Sequence, residues 1–389
     1  MTTIDDTRAA PVAPPRGRGG APTGSAPERF ATWAAADFAE PTARDEEWKF
    51  APLRRLRPLL GGAPGARRLA PGATLPAGAR LEDLPPADPL LRQGPAPQDR
   101  LGALAGELSP VAAALRVQPG AEPDEPIILR LTGAEGELAW GRLVLDIGAR
   151  ARAVVVLEHD GAGAYGALTS ALIGEGAALT LVHVHSGDLA AVHNEHIGAR
   201  LERDAAFTMS SASLGGGVVR LTPTVHLAGP GAAAELLGLS FAGAGQHHES
   251  RLYIDHAAPD CTSDVHYKSA LQGEGARVAW VGDVRIRPAA TGTRTYELNR
   301  NLLLSDGARA DSVPNLEIET GEIHSAGHAS ATGRFDDLQL FYLRSRGIPE
   351  AEARRLVVRG FFAEILARIP VPELRERLMA AIDRRLDAA

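Results

Sequence analysis

Between residues 148 and 234 one short unit recurs: Gly148-Ala-Arg-Ala, Gly176-Ala-Ala-Leu, Asp204-Ala-Ala-Phe and Gly231-Ala-Ala-Ala. Each leads from a turn residue into an apolar run such as Leu179-Thr-Leu-Val-His-Val184. The first alanines of the four units, Ala149, Ala177, Ala205 and Ala232, are 28, 28 and 27 residues apart. Such a period is too short for a strand–helix–strand unit and too long for a simple hairpin. It suits one turn of a β-solenoid or paired strands of a sandwich. Two later units, Gly275-Ala-Arg-Val and Gly307-Ala-Arg-Ala, follow at gaps of 44 and 32, which reads as a repeat loosened by insertions. The strand assignment does not depend on the repeat. Ile127-Ile-Leu-Arg-Leu131, Leu143-Val-Leu-Asp-Ile147 and Val154-Val-Val-Leu157 are strand-like in composition alone.

The flanks have a different texture. Residues 1–26, rich in Ala, Pro, Gly and Arg without periodicity, are expected to be a disordered arm. Residues 27–120 are expected to form an N-terminal helical region, with one helix over Glu28–Glu40 that presents Phe30, Trp33 and Phe38 and stops at Pro41. A second helix is expected from about Leu101 to Leu115. The β core is assigned to 121–333 and a C-terminal helical domain to 334–389. In that domain Asp336 and Asp337 suit a helix start and Gly347 its end. Pro349 opens the next helix and Pro370 ends it, and Pro372 opens a last one with Leu374, Leu378, Ile382 and Leu386 four apart.

With 389 residues the chain is long enough to bury a full core. Its net charge of −7 gives no general attraction to nucleic acid or to an acidic membrane surface. The single cysteine, Cys261, excludes an intrachain disulfide and any four-cysteine metal site. No basic-then-apolar leader and no run of eighteen apolar residues is visible, so the expected location is the cytoplasm. No glycine-rich loop ends in Lys-Ser or Lys-Thr, which argues against nucleotide hydrolysis by this chain alone.

All twelve histidines lie between His159 and His328. His183 and His185 share one strand face, and His193-Asn-Glu-His196 follows. A metalloenzyme barrel of the cupin type uses such a His-x-His with Glu195 and a later histidine, and a stand-alone histidine-rich metal protein is the alternative reading. Hydrogen-bonded strand histidines are the plainer one. Cys261 is near His266, but no third member completes a nucleophile, so an inert buried thiol is expected.

Several further stretches carry a resemblance. These are Arg44-Asp-Glu-Glu-Trp-Lys-Phe50, Ser263-Asp-Val-His-Tyr-Lys-Ser269, Gly273-Glu-Gly-Ala-Arg-Val-Ala-Trp-Val-Gly282, Leu298-Asn-Arg-Asn-Leu-Leu-Leu-Ser-Asp-Gly-Ala308, Pro314-Asn-Leu-Glu-Ile318 and the run from Ser325 to Ile348. Over roughly residues 27–386 the chain resembles the SufB/SufD family of iron–sulfur cluster assembly scaffolds. The resemblance implies a right-handed parallel β-helix between helical domains, without catalysis of its own. It implies a SufB-like partner joined through the β-helices and a SufC-like ABC ATPase docked on the C-terminal helices, with a homodimer when SufB is absent. His328 is followed by Ala329 rather than glutamate and preceded at position 326 by alanine rather than cysteine, which resembles SufD. The resemblance assigns His328 to the cluster-assembly interface as a transient metal ligand or proton acceptor, shared with the partner. No cofactor is then stably held by the isolated chain. Arg354, Arg355, Phe361, Phe362 and Leu366 are expected in the ATPase-docking region, mainly by shaping its helices.

Overall fold

The strand-like runs after Ala112 each form a strand with one face inward, and in the middle turns the outer face is buried as well. In the computed structural model the described residues are 29–65, 72–335 and 337–387; the expected arm over 1–26 and the capping role of Asp336 lie outside them. Helix α1 (Leu53–Leu60), strands β1 (Gly72–Thr74) and β2 (Ala79–Leu84), α2 (Arg100–Leu108) and β3 (Ala112–Val117) come first. Then follow β4 (Ile127–Gly133), β5 (Leu138–Ile147), β6 (Arg152–Gly161), β7 (Ala164–Ile173), β8 (Ala178–His185) and β9 (Val192–Leu201). The next strands are β10 (Ala206–Ser213), β11 (Val218–Leu227), β12 (Ala233–Ala242), β13 (His247–His256) and β14 (Thr262–Leu271). Strands β15 (Arg277–Ile286), β16 (Arg294–Leu303), β17 (Arg309–Ile318) and β18 (Ser325–Arg334) complete the series. Helices α3 (Asp337–Ser345), α4 (Glu350–Ala367) and α5 (Pro372–Asp387) end it.

Even-numbered strands β4 to β18 form one parallel sheet and odd-numbered β3 to β17 the other, so the chain alternates between two sheets and makes a solenoid of about 8 turns. Pairing is in register: Leu157 of β6 lies beside His183 of β8, and Ser170 of β7 beside Gly198 of β9. Residues of like parity therefore stack in columns from turn to turn. Val155, Leu157, Leu179 and Leu181 point into the core between the sheets, while Val156, Val182 and Val184 point out to the C-terminal helices. At the first turn the antiparallel strands β1 and β2 cover the sheet edges.

The repeat marks one edge of this solenoid, where the chain crosses from the odd sheet to the even one. A left-handed residue stands there in six successive turns: Arg150, Gly176, Asp204, Gly231, Asp260 and Gly292. Their amides bond across turns in a continuous series, from Arg150 N–H to Glu175 O (2.9 Å) through Gly292 N–H to Glu322 O (2.7 Å). A buried residue follows each one: Ala151, Ala177, Ala205, Ala232, Cys261 and Thr293. The spacings are thus 26, 28, 27, 29 and 32, and the first unit of the motif is offset by two residues from its true equivalent, since Arg150 and not Gly148 takes the left-handed place. Gly275 and Gly307 belong to the opposite edge, so the gap of 44 is a change of edge rather than an insertion. Gly231 needs its missing Cβ for a second reason: a Cβ there would lie 2.3 Å from Asp204 Oδ1.

The expected helix over Glu28–Glu40 does not form among its described residues, which hold only a 3-10 turn at Ala35–Asp37. Tertiary partners take its backbone groups instead. Thr32 N–H donates to Pro97 O (3.0 Å), Ala35 N–H to the Glu107 carboxylate (2.9 Å), and Arg100 donates to Ala35 O (3.1 Å). The second expected helix ends at Leu108 rather than Leu115, because Pro110 cannot continue it and the following residues join the odd sheet as β3. Helices α4 and α5 start at the expected prolines, and Gly347 adopts a positive φ of 84°. Phe362, Leu366, Leu374, Leu378 and Ile382 pack on the outer face of the even sheet. Lys268 Nζ to Glu364 Oε2 (2.7 Å) and the ion pairs Arg368–Glu235 and Arg377–Glu158 tie the helices to it. Among the described residues no helix is long and apolar enough to cross a membrane.

The N-terminal region is locked onto the odd sheet by Arg220 of β11, which is wholly buried. Its Nη1 donates to Asp99 Oδ2 (2.5 Å) and Asn194 Oδ1 (3.0 Å), its Nε to Glu249 Oε1 (3.3 Å), and its guanidinium lies 4.3 Å from the centre of the Trp48 ring. Asp99 also caps α2 by accepting from Gly102 N–H (2.8 Å). Burial alone would raise the carboxyl pKa values of Asp99 and Glu249, but Arg220 outweighs it and both are held below their ordinary range.

Two predictions arise. Cys261→Ala should change stability by less than about 1.5 kcal/mol because alanine fills that column elsewhere, whereas Ala205→Leu should cost about 1–3 kcal/mol by overpacking; urea unfolding measures both. Arg220→Met should cost about 3–5 kcal/mol at neutral pH by leaving two carboxylates buried without a partner. In the wild type those lowered folded pKa values contribute stability above the unfolded value of about 4, lost as pH falls through the folded ones. The difference between the two proteins should therefore shrink on acidification; a pH-independent difference would discount the ion network.

Candidate functional site

Three places in the molecule gather polar side chains that the solenoid core does not require. The first is its last turn. In β16 Thr295, Glu297, Asn299 and Asn301 are buried and point inward, and Glu297 stands in a column that is apolar in the preceding turns, at Val265, Leu236 and Met209. His328 of β18 lies beside Glu297 in the register and continues that column. The His328 side chain is exposed, at the end of the stack. Glu297 is 1% exposed, neither carboxyl oxygen has a hydrogen-bond partner, and burial pushes its pKa up to about 8, helped by the charge of Asp283. Ser312 Oγ donates to Asn299 Oδ1 (2.7 Å), and Ser330 Oγ donates to Ser312 Oγ (2.8 Å). No further strand covers β17 or β18 among the described residues. The polar interior therefore opens at the end of the molecule. A groove of about 450 Å³ beside it is lined by His328, Asp283, Asn315 and Tyr253.

The second place is the C-terminal helical layer. Arg354 pairs with Glu350 (3.4 Å) and lies over the Phe335 ring, while Arg355 bonds to Glu352 and Asp387 (2.7 Å each). Both line a cleft of about 1020 Å³ between the helices and the solenoid edge. Phe362 and Leu366 are buried and Phe361 is partly so, which gives them the work of holding α4 to the even sheet. The apolar side chains that face solvent here are Leu338, Phe341 and Tyr342 of α3 and Leu356 of α4. Sequence reasoning passed over these four, because helical spacing alone does not say which of two apolar faces a neighbouring sheet will cover.

The third place is inside the solenoid at the edge where the chain crosses from the even sheet to the odd one. His159 of β6, His183 and His185 of β8, and His193 and Glu195 of β9 all point inward in adjacent turns and are buried. Their parity explains it: along their strands they continue the inward series of Val155 and Leu157, of Leu179 and Leu181, and of Ile197 and Ala199. Glu195 Oε2 lies 3.0 Å from His183 Nε2, 3.0 Å from His193 Nε2 and 3.5 Å from His159 Nε2. The His159 and His185 rings stack, with centres 4.9 Å apart and planes 7° from parallel. Burial, then the neighbouring His193, push His159 and His185 well below the ordinary imidazole range. Burial opposes ionisation of Glu195, but the imidazoles of His183, His193 and His159 hold its carboxyl well below its usual value.

The sequence pattern had joined His183, His185, His193, Glu195 and His196, and the structure brings the first four together. His196 has the opposite parity and faces α2, where its Nδ1 bonds to Thr222 Oγ1 (3.1 Å) and burial lowers its pKa to about 4. His159 replaces it. The signal was present, since His159 precedes His185 by 26 residues, one turn of the repeat. Stacked turns, and not a cupin barrel, build this cluster. Cys261 takes no part in any of the three places: its thiol is buried, contacts Gly229 O (3.4 Å), and has its pKa raised by burial.

A family model described as SUF system FeS cluster assembly, SufBD core domain, matches residues 129–361. An iron-sulfur cluster assembly SufBD family protein of Mycobacterium tuberculosis is 50% identical over 371 residues, covering 92% of this chain and 93% of its own. One from Mycobacterium leprae is 48% identical over 365 residues with the same coverage. A second protein of that name in M. tuberculosis is 33% identical over 173 residues, 44% of this chain and 20% of its own length. The solenoid that the family model spans carries the Ser263–Ser269, Gly273–Gly282 and Leu298–Ala308 motifs on β14 to β16 and the turns that follow β14 and β16. The chain therefore belongs to the SufBD family of iron–sulfur cluster assembly proteins.

Proposed function

We propose that the protein is a SufD-like, non-catalytic scaffold subunit of the SUF complex, paired with a SufB-like subunit and carrying a SufC-like ABC ATPase. The observation that carries this reading is the open end of the solenoid. Two ten-residue strands, β17 and β18, each leave one edge without a strand partner among the described residues, and such edges are templates for another chain. A solenoid meant to end there would present a covered, polar terminus, as β1 and β2 provide at the other end. A second β-helix docked on β17 and β18 closes the polar interior and brings its own groups against His328 and Glu297. His328 then serves as a ligand or proton acceptor for a cluster in transit, which is cargo rather than a resident cofactor.

The SufD-like assignment is supported by what this end lacks. Ala326 and Ala329 stand on either side of His328, and the one cysteine is sealed two turns away in the small-residue column that alanine fills in earlier turns, so the thiolate must come from the partner. M. tuberculosis holds two proteins of the family with different similarity to this chain, as a paired assembly requires. A homodimer through the same edges is the form expected without the partner, and the cytoplasm is the location that suits a protein with one buried thiol. For the ATPase, Leu338, Phe341, Tyr342 and Leu356 offer the exposed contact, flanked by Arg354 and Arg355, while Phe361, Phe362 and Leu366 keep the helices in place.

His328→Ala should leave the complex assembled on size-exclusion chromatography and lower the yield of reconstituted cluster about tenfold, the scale of losing a ligand or its support. Undiminished reconstitution would remove His328 from the function. Leu338→Ser with Phe341→Ser should weaken ATPase binding by about 2 kcal/mol or more, as for an apolar hot spot, without changing the unfolding of the solenoid. Calorimetric titration showing full affinity in that double variant would move the docking site elsewhere.

A further inference from the structure

The histidine cluster lies five strand spacings from β18, about 24 Å along the stack, and the assembly reading makes no use of it. Its composition is out of place in a solenoid core. In the column of Glu195 the adjacent turns put Ala167 on one side and Leu221 on the other. An ionised carboxylate between aliphatic neighbours needs a compensating charge.

Hydrogen bonding does not account for the cluster either. Both ring nitrogens of His185, which is 2% exposed, lack a partner, as do Nδ1 of His159 and Nδ1 of His183. His159 Nε2 and His183 Nε2 face each other at 3.0 Å, where a proton can belong to only one. One donor atom from each of His159, His185, His193 and Glu195 falls within 4.8 Å of the other three. Four ligands at about 2.0–2.1 Å from a tetrahedral ion are about 3.3–3.4 Å apart, so small side-chain rotations complete a shell. The carboxylate is already aimed. Thr169 Oγ1 donates to Glu195 Oε1 (2.6 Å), leaving Oε2 toward the imidazoles. A cavity of about 30 Å³ lined by His159, Tyr165, His185 and His193 adjoins the set, enough for an ion with one water, and the turn glycines Gly163 and Gly187 border it on the outer side.

We propose that His159, His185, His193 and Glu195 bind one divalent first-row transition-metal ion inside the solenoid, with His183 donating a hydrogen bond to the Glu195 carboxylate. Three imidazoles and one carboxylate suit zinc or ferrous iron and not the oxygen-rich shells of calcium or magnesium. The ion cross-links β6, β8 and β9, two successive turns, and neutralises the buried carboxylate. The site differs from the His328 end in position and in ligands, so it stands whether or not the chain pairs with a second β-helix.

The test uses the full chain, stripped with a chelator and titrated with Co2+ as the probe. One equivalent should bind with the visible bands of a four- or five-coordinate ion, and Zn2+ should displace it. Glu195→Gln and His185→Ala should each raise the Co2+ dissociation constant at least about tenfold, while His324→Ala, at an exposed histidine, should not change it. Absence of stoichiometric Co2+ binding, or equal affinity in Glu195→Gln and wild type, would overturn the site. Should the variants fail to fold, X-ray absorption of the Zn2+-loaded wild type decides: a shell with three imidazoles supports the assignment, and an oxygen-only shell or one with a single imidazole refutes it.

Discussion

Parallel strands stacked in register are the constraint on which everything else in this molecule rests. Because each turn sets its residues directly beside those of the turn before, a position is defined by its column and its parity rather than by its sequence neighbours. Aliphatic columns make a core that can be extended turn by turn. The left-handed residue and the small buried residue after it, from Arg150-Ala151 to Gly292-Thr293, keep the edge tight enough for the amide series to run unbroken.

The same constraint concentrates chemistry. A polar residue placed in an inward column meets its counterparts one turn away at about 4.8 Å, so a few substitutions in adjacent turns build a dense cluster. The imidazoles of β6, β8 and β9 are one instance, and the Glu297–His328 column of β16 and β18 is another. Their surroundings set them apart. The first is sealed between sheets with its donors converging, whereas the second lies at an end where β17 and β18 each leave one edge without a strand partner among the described residues. The outer faces do different work: Arg220 binds the N-terminal region through buried ion pairs, and the even sheet holds the C-terminal helices that present Leu338 and Phe341 to solvent.

Much of this was legible in the residues. The repeat of roughly 28 residues and the apolar runs left a solenoid or a sandwich, the family resemblance chose the solenoid, and the prolines at 349 and 372 marked the last two helices, because turn geometry and helix starts are local properties. Glu28–Glu40 misled because its aromatic spacing fits a helix while its backbone groups are claimed by Pro97, Glu107 and Arg100, which no local pattern reports. Cys261, expected as an inert buried thiol, is buried in the edge column that alanine fills in the preceding turns.

The sequence by itself determined the class of the fold and the family, since these rest on local propensities and on motifs that keep their order along the chain. Only the tertiary structure decided that His159 joins His183, His185, His193 and Glu195 while His196 turns away, that Phe362 is buried while Phe341 is exposed, and that one end of the solenoid stays open. Those outcomes depend on strand register and on which face each layer covers, quantities fixed by the packing of segments far apart in the chain.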